Sequence, residues 1–180
     1  MTGSEYLAML IKHGTEWVKQ LREQHRPLGQ VLQAEARTTL APFFEERILD
    51  KASFSVMPVI PNPPFYSLLQ PGIPVPIDFT IMAGLTVGDT VLLAESRIDP
   101  NASPLPLLFH ELVHVVQYDL LGMDEFIRQY VAGWAACGKQ YHAIPMEQEA
   151  YGLQARFVQE TSRAFSVAAI VSDRLGGSLA

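Results

Sequence analysis

Cysteine is almost missing from this 180-residue chain, where Cys137 stands alone. No intrachain disulfide can form, and zinc sites of the Cys₂His₂ or Cys₄ kind are excluded. Between Ala135, Ala136 and Gly138, the thiol reads as a small packing residue. Charge is sparse as well: 18% of residues carry it, 19 acidic against 13 basic, for a formal net charge of −6. The basic side chains are scattered among acids. Phosphate binding needs Lys and Arg in clusters, so no nucleic-acid partner is expected. No window approaches 18 uninterrupted apolar residues, so no membrane-spanning helix is expected. Residues 1–12 include Glu5 and lack a small-residue cleavage site after an apolar run. That is no secretory signal, and a cytoplasmic protein is expected. Internal repeats and low-complexity tracts are absent too.

Apolar residues are plentiful, at 48%, enough for a real core. The spacing of Leu7, Leu10, Ile11, Trp17, Val18 and Leu21 predicts a first helix, capped by Ser4 and running to about Gln24. Pro27 and Gly29 end it. A second helix is expected over Val31 to Lys51, with Pro42 at a kink or fresh start. A short strand, Phe54 to Ile60, follows. Seven prolines between Pro58 and Pro76 then forbid a helix or a central strand. Phe65, Tyr66, Leu68, Leu69 and Ile73 make this stretch too apolar for a solvated linker. It reads as a long loop packed over the body, either a structural wrap or a wall of the cleft. A hairpin is expected next, with arms Phe79 to Leu85 and Thr90 to Ala94 around Val87-Gly88-Asp89. Three helices complete the chain: one from Pro104–Leu107 to Leu121, stopped by Gly122; one from Met123 to Cys137; and one from Met146 to Ala168. Gly176-Gly177 mark a loose tail.

Chemistry concentrates in His110-Glu111-Leu112-Val113-His114. A separation of four residues puts both imidazoles on one face of a helix, a turn apart, where they can converge on one ion. Zinc takes neutral imidazole at about 2.0–2.1 Å, usually in a tetrahedron. Glu111 projects off that axis, where it can accept a proton from a water acidified by the ion and return it to a leaving amine. The apolar Leu112, Val113, Val115 and Val116 describe a helix buried behind its ligand face. A catalytic site needs one more protein donor. The extended HExxHxxGxxH pattern is absent, since Gln117 and Leu120 hold the Gly and third His places. A carboxylate or His142 remains. The preferred donor is Glu147 in Pro145-Met146-Glu147-Gln148-Glu149, with Glu149, His142 and Asp124 as alternatives. Glu147 and Glu149 point about 200° apart on a helix, so one can face the metal and the other solvent. Tyr141 and His142, just ahead of that helix, are candidate catalytic donors to a tetrahedral oxyanion, and Tyr130 is a further one. Gln117 can steady a ligand. His13 and His25 are expected to be exposed on the first helix.

With the segment Glu147-Gln148-Glu149-Ala150-Tyr151, the motif resembles the gluzincin metallopeptidases, in which HExxH is followed by a helix bearing E-x-x-A or E-x-E-A-D. That resemblance implies Glu147 as the third ligand. The family's Asp, which contacts a ligand histidine, is replaced here by Tyr151. More narrowly, Gly84 to Val91 followed by HELVHVVQY is similar to a metallopeptidase-like domain found with bacterial contractile injection systems, over about Ile48 to Phe157. The implied fold is α+β, a mainly helical zincin-like domain with a small antiparallel sheet and an HExxH active-site helix. One domain is expected over residues 1–180: N-terminal helices in 1–51, the proline-rich loop in 58–76 and a metal-binding core in 79–168. The expected function is zinc-dependent hydrolysis of a peptide or protein substrate, with the Thr90 to Ala94 strand pairing with an extended peptide. The alternative is a zinc-stabilised binding or assembly module without catalysis.

Overall fold

The computed structural model describes residues 2–69, 76–160 and 162–177. It is mostly helical with one small three-stranded sheet, an α+β arrangement. Helix α1 spans Gly3–His25, α2 Ala34–Leu40 and α3 Glu46–Lys51, ahead of strand β1, Ser53–Met57. Strands β2 (Gly84–Val87) and β3 (Thr90–Ala94) form the hairpin. Four helices follow: α4 (Leu105–Leu121), α5 (Met123–Ala136), α6 (Pro145–Gln159) and α7 (Val167–Gly177).

Several boundaries differ from expectation, each for a local reason. Thr2, not Ser4, caps α1: its hydroxyl accepts from Glu5 N, while the Glu5 carboxylate accepts from Thr2 N, a reciprocal capping box. The helix expected over 31–51 is two short ones. Pro42 has no amide to donate, and the chain turns there to bury Phe43 and Phe44. Only Gly84–Val87 of the first hairpin arm is strand. Phe79–Ile81 is instead a 3₁₀ turn begun by Asp78, whose carboxylate accepts from Thr80 N. The last helix divides in two. Phe165 packs against Phe43 and Phe109, and Ser166 caps the start of α7 by accepting from Ala169 N. Helix α7 carries on through Gly176-Gly177, expected to be a loose tail.

The sheet is mixed, not antiparallel. Its order is β1-β3-β2, with β1 parallel to β3 and β2 antiparallel to β3. The two-residue turn at Gly88-Asp89 forces β2 against one side of β3; Gly88 has φ 74°, the sign a type II′ turn requires at its first position. The long excursion through the prolines returns the chain so that β1 joins the other side. Both edges of β3 are thereby occupied, so Thr90 to Ala94 cannot pair with a peptide. Among the described residues, β2 pairs with β3 alone.

Helix α4 is buried on every side, from Leu108 through Tyr118, not only at its rear. One apolar cluster joins it to α2, α3, α6 and α7 around Phe43, Phe109 and Phe157. A second packs α1, α5 and the sheet around Trp17, Phe126 and Trp134. Of the proline-rich loop, Pro63, Phe65, Tyr66, Pro76 and Ile77 line a cavity beside α4; Ile73 lies outside the described residues. Among the described residues no helix is long and apolar enough to cross a membrane.

Candidate metal centre

Three elements meet where the motif sits. The four-residue spacing on α4 brings His110 Nε2 within 3.1 Å of His114 Nε2. Helix α6 lies across α4 and presents Glu147 to both rings, Oε2 3.4 Å from His110 Nε2 and Oε1 3.5 Å from His114 Nε2. All three residues are buried, and their ligand atoms lie within 4.8 Å of one another. They are close enough to bind one metal ion.

The surrounding hydrogen bonds decide which ring nitrogens face inward. Gln117 Nε2 donates to Met146 O at 3.2 Å and to Glu149 Oε2 at 2.8 Å, two groups that only accept. Gln117 Oε1 is therefore the acceptor 2.7 Å from His114 Nδ1, and that nitrogen carries the hydrogen. Gln154 Oε1 stands 3.1 Å from His110 Nδ1 in the same relation. In neutral rings each Nε2 is then left with a lone pair, and two lone pairs face each other across 3.1 Å. Glu147 adds negative charge. Its Oε1 accepts from the Tyr130 hydroxyl at 2.8 Å, while its buried Oε2 accepts no hydrogen bond among the described residues. Converging buried acceptors without a donor are costly unless a cation sits between them. The electrostatics favour positive charge at this spot, carried by a proton on His114 or by a cation in its place. Burial works against a charge on His114, yet the Glu147 carboxylate outweighs it and raises the ring to about 9. Burial likewise opposes ionisation of Glu147, but His114 and His110 hold it well below the ordinary carboxylate range.

The alternative third donors are engaged elsewhere. Glu149 does not meet solvent, as the 200° argument supposed. Its carboxylate takes two hydrogen bonds from Arg174 of α7, at 2.6 and 2.9 Å, besides the one from Gln117. Asp124 pairs with Lys19 at the surface. His142 is exposed and outside the three-residue cluster. The ring of Tyr151 packs at 4.4 Å on His110, and carboxamides from Gln117 and Gln154 hold the outer nitrogens of the two rings.

Compared with models of protein families, with curated proteins and with solved structures, the chain matches none.

Glu111 sits beside the cluster, 4% exposed. Thr86 of β2 donates its hydroxyl to Glu111 Oε2 at 2.7 Å, and the same hydroxyl lies 3.0 Å from the Glu111 backbone oxygen. Gly84, two residues earlier on the same strand face, leaves room for the carboxylate: a Cβ there would stand 2.3 Å from Glu111 Oε1. Two spaces reach Glu111. An open groove of about 770 Å³ is lined by His110, Tyr141, His142, Tyr151 and Gln154. On the other side, an apolar cavity of about 100 Å³ touches Glu111, His114 and Glu147. Tyr141 borders both spaces. Burial first, and then the charge of Glu147, push its hydroxyl far up, so it remains a proton donor.

Reasoning from the sequence missed Thr86, Gly84, Gln154 and Arg174 as supports of the site. Gln154 was within reach: it lies seven residues after Glu147, two turns along the same helical stripe. Thr86 and Arg174 carry no such signal, because tertiary packing alone brings them to the centre. His13 and His25, expected to be exposed, are partly covered, by Phe65 and Ser55 respectively.

Proposed function

We propose that this chain is a zinc-dependent hydrolase of the gluzincin type acting on peptide bonds, with Glu111 as its general base. One observation carries the reading: the inward lone pairs of His110 and His114 and the unsatisfied Glu147 Oε2 converge next to a carboxylate that two spaces can reach. The two ring nitrogens are 3.1 Å apart, and each has a different Glu147 oxygen at 3.4 or 3.5 Å, spacings compatible with zinc. Ligands at about 2.0–2.1 Å in a tetrahedron stand about 3.3–3.4 Å apart. His110, His114 and Glu147 would hold the ion. When bound, zinc supplies Lewis acidity, lowering the pKa of water toward 7 and polarising a carbonyl.

The chain's own residues supply the rest. Glu111 takes the proton of the attacking water and delivers it to the departing amine. The Thr86 hydroxyl holds Oε2, which leaves Oε1 free for that proton. Tyr141, kept protonated, donates to the developing oxyanion, with His142 further along the groove. The peptide lies in the groove, where Gly84 offers backbone at the β2 side of the sheet. The second reading, a zinc-stabilised module without catalysis, draws on the depth of the cluster, since His110 and His114 are each 5% exposed. The groove and cavity that both reach Glu111 favour catalysis.

Glu111→Gln separates the two. Hydrolysis of a mixed peptide library should fall by roughly 10²–10⁴-fold, the usual scale of a lost general base, with one equivalent of zinc retained by metal analysis. Equal cleavage by both proteins would sink the mechanism, and no cleavage by either would favour the module.

A further inference from the structure

The open groove of about 770 Å³ has a charge pattern of its own: its walls carry Asp78, Arg97, Asp99 and Lys139. The two acids are engaged locally. Asp78 Oδ1 accepts from Asn62 Nδ2 at 2.9 Å and from Thr80 N and Oγ1 at 3.0 and 2.7 Å. Asp99 Oδ1 accepts from Asn101 N at 2.9 Å. The two bases have no acid. Among the described residues, Lys19, Lys51 and every arginine but Arg97 and Arg156 are ion-paired. Arg156 lies over the Phe165 ring, and Lys12 is exposed on α1. That leaves Arg97 and Lys139, both on the groove, in a chain with a formal net charge of −6.

Each base is held in place without being neutralised. Arg97 Nε donates to Thr80 O at 3.2 Å, which fixes the guanidinium plane and leaves its Nη hydrogens unspent. Asp78, near enough to feel that charge, is held below its ordinary range chiefly by the Thr80 and Asn62 hydrogen bonds, with Arg97 the last cause. Lys139 has φ 66°, the one positive value at a non-glycine among the described residues. Its N donates to Trp134 O at 2.9 Å, closing the end of α5. Lysine costs more than glycine in that conformation, and such outliers gather at binding sites. The Lys139 ammonium stands 5.6 Å from the Trp134 ring and 5.9 Å from the Tyr6 ring. Aromatic faces attract a cation and leave its charge intact. A carboxylate arriving at either base breaks no internal ion pair.

We propose that Arg97 and Lys139 are two carboxylate-binding subsites, one on the wall after β3 and one on the wall between α5 and α6, that select acidic peptides. The assignment to a substrate rests on the hydrolase reading. The planar fork of Arg97 suits a carboxylate edge, and Lys139 acts as a point charge.

Two arms keep the subsites and hydrolysis apart. For binding, zinc-loaded Glu111→Gln protein is titrated with a labelled Glu-rich peptide and with its Gln counterpart, followed by fluorescence anisotropy. For turnover, internally quenched peptides with Glu, Gln or Lys at each position flanking the scissile bond are compared in the wild type. Glu should exceed Gln by roughly two- to fivefold at each subsite, the worth of one exposed ion pair, through KM and not kcat. The preference should fade at about 0.5 M salt, where screening acts within a few ångströms. Arg97→Glu and Lys139→Glu should each invert it at one position, to Lys over Glu, which lost packing alone would not do. Both residues are exposed, so zinc content and melting temperature should hold. Amidated peptides separate the two sources of a carboxylate: the effect of a side chain survives amidation, that of a free C-terminus disappears. Glu and Gln peptides bound and cleaved alike, or a preference that both reversals leave in place, would overturn the subsites and leave hydrolysis standing. Glu-selective binding with no peptide cleaved would overturn the hydrolase reading and leave an acidic-peptide binding groove.

Discussion

At the scale of single residues, the centre depends on atoms placed to within tenths of an ångström. Gly84 is the clearest case. Any side chain there meets the Glu111 carboxylate, since even a Cβ would stand 2.3 Å from Oε1. Gly84→Ala should therefore displace Glu111 from its Thr86 hydrogen bond while leaving His110, His114 and Glu147 untouched. On the proposed hydrolase function, kcat should drop about tenfold or more with zinc stoichiometry unchanged, the cost of misplacing a general base by an ångström. Normal turnover would show that Oε1 has slack to move. The pair His110 and His114 was legible in the sequence because helical periodicity alone puts residues four apart on one face. Thr86 was not, because nothing in a strand's alternation says which helix will lie over it.

Between elements, a hydrogen-bonded chain ties the end of the described fold to the candidate metal centre. Arg174 of α7 grips Glu149 of α6, Glu149 accepts from Gln117 of α4, and Gln117 accepts from the His114 ring. Every link is partly or wholly buried, so its partners hold their orientation without competition from water. Gln117→Leu keeps the size and apolar fit but removes the acceptor that fixes the His114 tautomer. Zinc affinity should weaken by about 10–100-fold, as when outer partners of a ligand are lost. Competition with a fluorescent chelator measures this. Arg174→Ala, one link farther out, should weaken it less, and equal effects from both would argue against a relay through Gln117. The helices themselves were readable where local signals are strong: α4 and α5 end as expected at Gly122 and Cys137. The misjudged breaks, at Pro42 and Phe165, occur where burying aromatic rings overrides helical continuity.

For the molecule as a whole, α4 is the axis that both apolar clusters share, and the sheet is fastened to α1 at its hairpin. Asp89, in that turn, accepts from Arg22 Nε at 2.7 Å and Nη2 at 2.8 Å, with Arg26 3.4 Å away. Burial pushes the Asp89 carboxyl up, but the Arg22 hydrogen bond and the two guanidinium charges outweigh it, and the net shift is downward. A depressed folded-state value means that the unfolded chain binds the proton more readily. The stabilisation is thus complete above the unfolded value of about 3.9 and is lost as pH falls through the folded one. Asp89→Asn should lower the melting temperature near neutrality, and the gap from the wild type should hold from pH 6 to about 4 and narrow below it. Circular dichroism melts across that range check it; a gap of constant width would place the effect in packing instead.

Helical spacing, turn residues and the type of side chain were enough to put two imidazoles and a carboxylate on one stretch of helix, because those relations span less than two turns and are set by backbone geometry. Which acid faces the rings, what holds the outer nitrogen of His110 and why the sheet is mixed depend on residues 33 to 44 positions apart. Such relations arise only when α4, α6, α7 and the strands pack, and packing answers to volume and buried area summed over many side chains, a sum that no short window contains.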